Sequence, residues 1–320
     1  MSVYTAVSQD QLKVFLKNYQ IGNLISYEGI ADGITNSNYW LETEKGSFVL
    51  TLYEHHQDSD LDYILGLQNH LINQGVACAS PVADINRGFY ARLNGKPAAI
   101  NRRVKGEVSQ VITVKNCEVC AMALAKFHLA GISYPLKRQN PCGNYWRVQK
   151  QKQLSSLLNQ ADAKLLAEEI QAYRLFDEID LPGGPVHADL FHDNCLFDAE
   201  EIGGIIDFDY ACNDFWLYDI AITVNDWCSQ EDGRLDVKRL QSFLDSYHRV
   251  RPILEIEYEN LALMLRLAAV RFWLSRLYDQ KFPLSGELTF IKDPDEFKNI
   301  LLLRRENIAT AEDLFTDTKA

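Results

Sequence analysis

The sequence has no excess of positive charge and no long apolar run. Its 320 residues include 32 Lys and Arg against 44 Asp and Glu, which gives a formal charge of −12. A protein that coats nucleic acid or an anionic membrane needs a positively charged face. The most apolar region, residues 261–270, is interrupted by Arg266 and falls short of the roughly 20 apolar residues that span a bilayer. We therefore expect no nucleic-acid or membrane partner, and we expect any phosphate to be held locally by backbone amides or metal ions.

A secretion signal and a paired-cysteine pattern are also missing. Residues 1–20 read as a polar helix without a charged segment followed by an apolar one, so we expect no signal peptide. The seven cysteines are an odd number and widely scattered, which fits free thiols in the reducing cytoplasm. Cys117 and Cys120 form a single C-x-x-C on one face of a predicted helix, with no second pair to complete a zinc site. Buried apolar thiols are the favoured interpretation, and a redox or metal role is the alternative.

The order of predicted elements divides the chain into two unequal lobes. Strands are predicted at 26–30, 38–42 and 48–53, followed by a helix at 60–73 and short strands at 81–84, 90–93 and 96–101. The polar run R-R-V-K-G-E at 102–107 breaks this pattern and is interpreted as a hinge. Helices are then predicted at 113–130, 145–158, 162–179, 215–229, 236–247 and 256–280, with one strand–loop–strand segment at 185–209. The pattern predicts an α+β fold with a small antiparallel β-rich lobe, residues 1–101, and a larger, mostly helical lobe, residues 108–320.

The densest polar chemistry lies in the run G-P-V-H-A-D-L-F-H-D-N at 184–194 and in the apolar strand that follows it, which ends at Asp207. The spacing H-x-D-x-x-x-x-N before a strand ending in Asp is typical of phosphotransferases. Asp189 can orient a substrate hydroxyl and accept its proton. Asn194 and Asp207 offer the hard oxygen ligands that Mg²⁺ prefers. The pattern therefore predicts ATP and Mg²⁺ as cofactors.

Other readings of this run are weaker. His192 and Asp193 are interpreted as loop residues, with substrate or metal contact as the alternative. A two-metal hydrolase would need more His at metal spacing than the seven in the chain supply. The zinc deaminase pattern is absent, because Tyr145 stands where its second Cys would be.

A glycine-containing turn in the smaller lobe is the candidate nucleotide contact. The run G-I-A-D-G-I-T-N-S-N-Y at 29–39 lies between two predicted strands and matches neither a P-loop nor a strict G-x-G-x-x-G. By itself it indicates a hairpin turn. Beside the 184–207 run it predicts a lid over ATP, because Gly29 and Gly33 allow the backbone to approach phosphates closely. We include Asn36 and Ser37 among the predicted nucleotide contacts.

With H-A-D-L-F-H-D-N and then I-I-D-F-D, the two-lobe order resembles the aminoglycoside-phosphotransferase and choline-kinase-like family, which has the protein-kinase-like fold. Ala188 stands where protein kinases usually carry Arg, which favours a small-molecule substrate. Segments 29–41, 48–54 and 204–228 are similar to the bacterial homoserine kinases of this family. That resemblance implies ATP-dependent phosphorylation of L-homoserine to O-phospho-L-homoserine, on the route to threonine.

The resemblance also implies roles for individual residues. It implies that Asp189 is catalytic, that Asn194 and Asp207 hold magnesium and that His187 supports the catalytic loop. One departure concerns the cation that the wider family places on its third strand, since Thr51 stands there and the predicted helix at 60–73 contains no Glu. Homoserine kinases of this type resemble the chain in having this Thr. Arg102, Arg103 and Lys105 are candidate replacements, although solvated side chains are the favoured interpretation of all three.

The acceptor contacts are predicted from residues that follow the Asp207 strand and from a late helix. The candidates are Asp209, Tyr210, Asn225, Asp226, Trp227 and Arg271. Arg276 lies five residues beyond Arg271, about 140° around a helix, so we expect the two not to face one ligand. Another amino alcohol, such as choline, ethanolamine or hydroxylysine, is an alternative acceptor, with Trp216, Tyr218 and Trp227 as a possible aromatic cage. A catalytically silent scaffold of the same fold is the other alternative.

Overall fold

In the computed structural model of the chain, residues 5–30, 36–174, 176, 179–283 and 292–306 are described. Their contacts divide them into two compact units. One consists of residues 5–105 and the other of residues 106–283 and 292–306. We call these the N-terminal unit and the C-terminal unit.

The N-terminal unit is built around an antiparallel sheet. Its strands are β1 (Leu24–Gly29), β2 (Ser37–Thr43), β3 (Gly46–Leu52), β4 (Ser80–Pro81), β5 (Tyr90–Leu93) and β6 (Lys96–Arg102). They pair in the order β1-β2-β3-β6-β4, and β5 pairs with β6. Burial alternates strictly along β2, as expected for a sheet with one face against a core and the other towards polar surroundings.

Two helices complete this unit. α1 (Gln9–Leu16) starts at Ser8 with a capping box, in which Ser8 and Gln11 exchange side-chain to backbone hydrogen bonds. α2 (Asp58–Asn73) buries Leu61, Leu65, Gln68 and Leu71 at spacings of three and four, which makes one apolar face. The core contains Leu41, Leu50 and Ile100 from three neighbouring strands, all with no exposed surface.

The C-terminal unit is mostly helical, which confirms the predicted α+β class. Its helices are α3 (Val114–Gly131), α4 (Asn144–Leu154), α5 (Gln160–Tyr173), α6 (Trp216–Trp227), α7 (Val237–Val250), α8 (Glu255–Lys281) and α9 (Pro294–Glu306). In α6 every residue except Asp226 is buried. A helix that is buried all round lies inside its domain, so side chains on α6 can reach several neighbouring elements.

Two small sheets lie among these helices. β8 (Gly183–Val186) pairs with β11 (Cys212–Phe215) in antiparallel register. β9 (Cys195–Asp198) pairs on one side with β10 (Glu201–Ile205) and on the other with β7 (Glu107–Val108). The residues between β8 and β9, and those directly after β10, carry the polar run found in the sequence.

Several predicted boundaries were wrong for local reasons. The strand predicted at 81–84 stops at Pro81, because the Asp84 carboxylate accepts hydrogen bonds from the amides of Asn86 and Gly88 and closes a turn. The helix predicted at 162–179 ends at Tyr173. Helix α9 was not predicted, although it begins with Pro294 followed by two acidic residues, which is typical of a helix start.

The predicted cysteine helix is present as α3, and Cys117 and Cys120 are both fully buried in it. All seven cysteines are free thiols and all are buried. Among the described residues, no helix is long and apolar enough to cross a membrane.

Gly106 is a position where the fold requires glycine. Its φ is +104°, and a Cβ there would overlap the carbonyl group of Phe197 in β9. Gly106→Ala should therefore lower the free energy of unfolding by about 2–4 kcal/mol, combining left-handed strain with overpacking. The measurement is urea unfolding followed by tryptophan fluorescence.

The matched control is Gly46→Ala. Gly46 has a φ of +128°, but no described atom lies within 4 Å of the position that a Cβ would take there. This control should lose only the conformational part, about 1–2 kcal/mol. Equal losses in the two variants would show that the contact with Phe197 does not matter.

Candidate active site

The loop of residues 187–194 begins directly after β8 and turns sharply at Ala188. Ala188 has a φ of +61°, a value that is uncommon for a residue other than glycine and that persists only where the surroundings enforce it. Two backbone bonds close the loop further on. The Phe191 amide donates to the Asp189 carbonyl at 2.8 Å, and the Asn194 amide donates to the Phe191 carbonyl at 3.0 Å.

The carboxylate of Asp219, in the first turn of α6, enforces this conformation. One of its oxygens accepts the His187 amide at 2.7 Å, and the other accepts the Ala188 amide at 2.8 Å. The Asp219 side chain is completely buried. Burial alone would raise its pKa, but hydrogen bonds from His128 and from the loop hold the pKa below its ordinary value. Asp219 is therefore an ionised carboxylate inside the protein, and each of its two oxygens accepts a hydrogen bond from a loop amide.

Two further buried side chains extend the hydrogen-bond network from Asp219, one bound to the carboxylate and the other to the first. His128 Nε2 lies 3.0 Å from the Asp219 carboxylate, and His128 Nδ1 lies 2.6 Å from the Tyr247 hydroxyl. Burial lowers the pKa of His128, so its ring is neutral. Because an ionised carboxylate can only accept, Nε2 carries the proton, and the Tyr247 hydroxyl donates to Nδ1. The chain Tyr247–His128–Asp219 thus connects α7, α3 and α6 to the loop.

His187 joins the loop to the strand that precedes Asp207. Its Nε2 donates to the Ile206 carbonyl at 2.9 Å, and its ring packs on Phe208 with centroids 5.0 Å apart. Asn194 adds a second connection, because its carbonyl accepts the Ile206 amide at 3.0 Å. The Asn194 side-chain amide donates to the Asp189 carbonyl at 2.9 Å. The structure therefore brings together Asp189, Asn194 and Asp207, as the sequence spacing predicted.

The electrostatics of this cluster favour a cation. Asp207 has a φ of +60° and keeps its side chain at the molecular surface. The surrounding protein, followed by the carboxylates of Asp209 and Asp189, raises the pKa of Asp207 well above its ordinary value. A divalent ion on Asp207 and on the oxygen of Asn194 would relieve this repulsion, so the residues fit magnesium. No group of three or more His, Cys, Asp or Glu in the described ranges is arranged to hold a metal.

Arg271, in α8, provides the positive charge next to Asp189. Its Nη1 donates to Asp189 Oδ1 at 3.2 Å, and its guanidinium lies over the rings of Tyr210, at 4.4 Å, and Phe272, at 3.8 Å. Burial raises the pKa of Asp189, and Arg271 acts against that rise. Arg276 has different surroundings and pairs with Glu296 at 2.6 Å, as expected for two arginines about 140° apart on one helix.

Three of the predicted acceptor contacts instead have structural partners. Trp227 has no exposed surface, and its indole N–H donates to the Leu190 carbonyl at 3.1 Å. The Asp226 carboxylate accepts the His192 amide at 2.6 Å and raises the pKa of His192. Asn225 donates to the Leu265 carbonyl at 2.7 Å. For Trp227 and Asn225 the prediction was wrong, because an α6 buried on every side turns them inward. Asp226 is the one residue of α6 that is not buried, and it holds the loop through the His192 amide.

The remaining residues around the loop have clear surroundings. Asp193 is exposed and lies 3.7 Å from Lys292. The backbone carbonyl of Asp209 accepts a hydrogen bond from Arg138 at 2.9 Å. Tyr210 is one of the predicted acceptor contacts. It lies beside Arg271, which in turn binds Asp189.

Two of the four predicted nucleotide contacts in the N-terminal unit have side-chain partners within it. Gly29 ends β1, and Gly33 lies outside the described residues. Ser37 is fully buried, and its hydroxyl donates to Glu54 at 2.8 Å. Asn36 accepts the Glu54 amide at 3.3 Å. Both side chains are thus used inside this unit, and for Ser37 this argues against the predicted nucleotide contact.

Three cationic side chains of the N-terminal unit have identified contacts. Arg102 and Arg103 lie over the rings of Phe48, at 5.7 Å, and Trp40, at 4.3 Å. Lys96 pairs with the nearly buried Glu54 at 3.1 Å. This pair was not predicted, because the wider family's cation lies on the third strand, whereas Lys96 opens β6 and Glu54 follows β3.

The family follows from comparison with known proteins. The chain belongs to the phosphotransferase enzyme family, whose model matches residues 26–253. This defines its class as an enzyme that transfers phosphoryl groups.

Particular relatives narrow the comparison. The homoserine kinase of Methylobacillus flagellatus is 43% identical over 98% of this chain and 98% of its own length. The homoserine kinase of Neisseria meningitidis serogroup B is 43% identical over 94% of this chain and 99% of its own. A solved amicoumacin kinase in complex with AMP-PNP and Ca²⁺ matches with a TM-score of 0.72 at 18% identity, covering 94% of this chain and 93% of its own. The expected protein-kinase-like fold is confirmed.

The role of Asp219 is open to a direct test of stability. Asp219→Asn keeps the volume but replaces one accepting oxygen with an NH₂ group that faces other donors. A buried donor without an acceptor is costly, so the free energy of unfolding should fall by about 2–4 kcal/mol. Urea unfolding measures this, because four of the five tryptophans lie beyond residue 106.

Asp236→Asn is the control. Asp236 also accepts a backbone amide, that of Arg239, but at the start of α7. Asn and Asp are nearly equivalent at such a position, so this control should change stability by less than about 0.5 kcal/mol. A similar small change for Asp219→Asn would contradict its assigned role.

Proposed function

We propose that this protein is an ATP-dependent homoserine kinase that converts L-homoserine to O-phospho-L-homoserine in threonine biosynthesis. The proposal depends chiefly on the cluster of Asp189, Asn194 and Asp207, held in place by buried side chains. The full-length similarity to proteins named homoserine kinase supports the choice of acceptor. The seven free cysteines fit the cytoplasm as the proposed compartment.

Asp189 is the proposed catalytic residue. The acceptor hydroxyl would lie at its carboxylate, with Arg271 holding the other side of that carboxylate through Oδ1. In the transfer step, the hydroxyl oxygen forms a bond to the γ-phosphorus while the bond from that phosphorus to the bridging oxygen breaks. The hydroxyl proton passes to Asp189, and ADP leaves with the bridging oxygen. Most of the rate enhancement would come from positioning and charge stabilisation.

Asn194 and Asp207 are the proposed magnesium ligands. Asn194 commits its side-chain nitrogen to the Asp189 carbonyl, which leaves its oxygen for the ion. When bound, magnesium would neutralise charge on the β- and γ-phosphates and allow them to lie near the carboxylates. His187 is a positioning residue, because it fixes the loop to Ile206 and thereby sets the spacing between Asn194 and Asp207.

The N-terminal unit is the proposed nucleotide-binding part. We propose residues 1–101 as the nucleotide-binding lobe, residues 102–107 as a hinge and residues 108–320 as the lobe with the catalytic loop and acceptor site. Gly29 and Gly33 remain the proposed backbone contacts to ATP, together with Asn36. Lys96, beside Glu54, joins the candidates for the cation of this lobe.

The aromatic cage of a choline-type kinase has little support. Trp216 stacks on His128 with centroids 5.8 Å apart and lies under Arg251 at 4.5 Å. Trp227 is buried against the loop. These two side chains are committed to the interior, so neither lines an open aromatic cage.

The acceptor is identified by ADP release measured in a coupled assay with ATP and Mg²⁺. L-homoserine should give a kcat/KM at least about 10²-fold above those of choline and ethanolamine, which lack its carboxylate, since a charged group matched by the site is worth a few kcal/mol. Hydroxylysine also carries a carboxylate and should be the slower substrate because its hydroxyl lies further from that carboxylate. Faster turnover of choline would overturn the choice of acceptor. No release with any acceptor would favour a silent scaffold.

The role of Asp189 is tested by Asp189→Ala. Losing a positioned acid–base group should lower kcat by about 10² or more, while the affinity for ATP stays near that of the wild type. Asp198→Ala is the matched control, because Asp198 is an exposed carboxylate at the end of β9. Wild-type turnover by the Asp189 variant would remove the residue from the mechanism.

A further inference from the structure

Arg147, in α4, is a buried cation that forms no ion pair among the described residues. Only 1% of its surface is exposed. None of its three guanidinium nitrogens meets an acceptor at hydrogen-bond geometry in the described part of the chain, although the Tyr173 side chain lies close enough to act on it. The guanidinium instead lies over the aromatic rings of Tyr173, at 4.0 Å, and Tyr218, at 5.4 Å.

Arg271 has two unused donors of the same kind. Its Nη1 holds Asp189, whereas its Nε and Nη2 are buried and have no acceptor among the residues described. Only 3% of Arg271 is exposed. The two arginines together present five buried nitrogens without acceptors.

Tyr218 connects the two arginines. It lies on α6 and is almost fully buried, and its hydroxyl has no hydrogen-bond partner within the described ranges. Burial raises the pKa of Tyr218, and the charges of Arg147 and Arg271 both act against that rise. Helices α4 and α8, which carry the two arginines, also pack against each other. Tyr218 is therefore near both sets of donors, and the set on Arg271 adjoins Asp189.

Two carboxylates, those of Asp189 and Asp214, act on the two guanidinium groups of this region. Asp189 compensates one guanidinium through its pair with Arg271. Asp214 acts on Arg147 from a distance, but its carboxylate accepts from the Asn140 side chain at 2.5 Å and from the Phe215 amide at 2.7 Å. Neutral donors satisfy the Asp214 oxygens, so Asp214 acts on Arg147 by charge alone and accepts no hydrogen bond from it among the described residues. A buried guanidinium without hydrogen-bond acceptors is unfavourable, and a bound carboxylate would supply them.

We propose that Arg147, Arg271 and Tyr218 form the site that binds the carboxylate of the acceptor. This inference rests on the proposed kinase function and deepens it. Arg271 would hold Asp189 with one nitrogen and the acceptor carboxylate with the others, which fixes the distance between the carboxylate and the hydroxyl to be phosphorylated. Planar guanidinium groups match a carboxylate with paired hydrogen bonds. Amino alcohols without a carboxylate leave these donors unpaired and are rejected for that reason.

The test compares L-homoserine with 3-aminopropan-1-ol, which is the same molecule with hydrogen in place of the carboxylate. The quantity measured is the ratio of the two kcat/KM values. Because both substrates meet the same enzyme sample, a partly unfolded variant leaves this ratio unchanged. Arg147→Met should lower the ratio by about 10²-fold, as expected for the loss of a buried charged hydrogen-bonding partner, and should leave the KM for ATP within about twofold.

Two further variants sharpen the comparison. Tyr218→Phe removes one hydroxyl and should lower the ratio by about tenfold. Arg276→Met is the matched control on α8, since Arg276 pairs with Glu296, and it should leave the ratio unchanged.

Each outcome decides the proposal. An unchanged ratio in Arg147→Met overturns it. A raised KM for ATP with an unchanged ratio also overturns it and assigns the arginine to a nucleotide phosphate. If the wild type phosphorylates neither substrate, the proposed function fails, and calorimetric titration with L-homoserine then decides the site. Binding that is lost in Arg147→Met supports the carboxylate site, and binding that is absent from the wild type or kept in the variant overturns it.

Discussion

The Asp219 carboxylate is the interaction on which the rest of the site depends. Its two oxygens take up the amides of His187 and Ala188, and this holds Ala188 in a left-handed conformation that alanine does not favour. The turn at Ala188 in turn fixes where Asp189 stands. The neutral ring of His128 donates to the carboxylate and itself accepts from the Tyr247 hydroxyl, so that an ionised group remains stable without contact with water.

In the C-terminal unit, negatively and positively charged side chains lie on different sides of Asp189. Asp207 and Asp209 lie on the side proposed for magnesium, and the Asp209 carboxylate helps to raise the pKa of Asp207. Arg271 and Arg147 lie on the side proposed for the acceptor, with more donors than the described residues can satisfy. Asp189 belongs to both sides, because its backbone carbonyl binds Asn194 and its carboxylate binds Arg271. This division explains how a chain with a net charge of −12 can handle a triphosphate and an amino acid.

The sequence predicted those parts of the site that lie close together along the chain. Asp189, Asn194 and Asp207 fall within 19 residues, and their spacing alone suggested a phosphotransferase. No role was predicted for Asp219, because its contact with His187 spans 32 residues and depends on how α6 packs. Arg147 gave no signal, since nothing local distinguishes a buried arginine from an exposed one on a polar helix. Trp227 was misplaced for the converse reason: aromatic residues after a metal-binding strand suggest a ligand site, but burial on every side of α6 turns this one inward.

We infer that Asp219 holds the 187–194 loop in the conformation described above before any substrate binds. Hydrogen exchange of the wild-type protein without nucleotide tests this most directly, read at the amides of His187 and Ala188. Because both amides donate to a buried carboxylate, they should exchange at least about 10³-fold more slowly than in an unstructured peptide. Exchange within about tenfold of the unstructured rate would contradict the claim and would mean that the loop forms only when substrates bind.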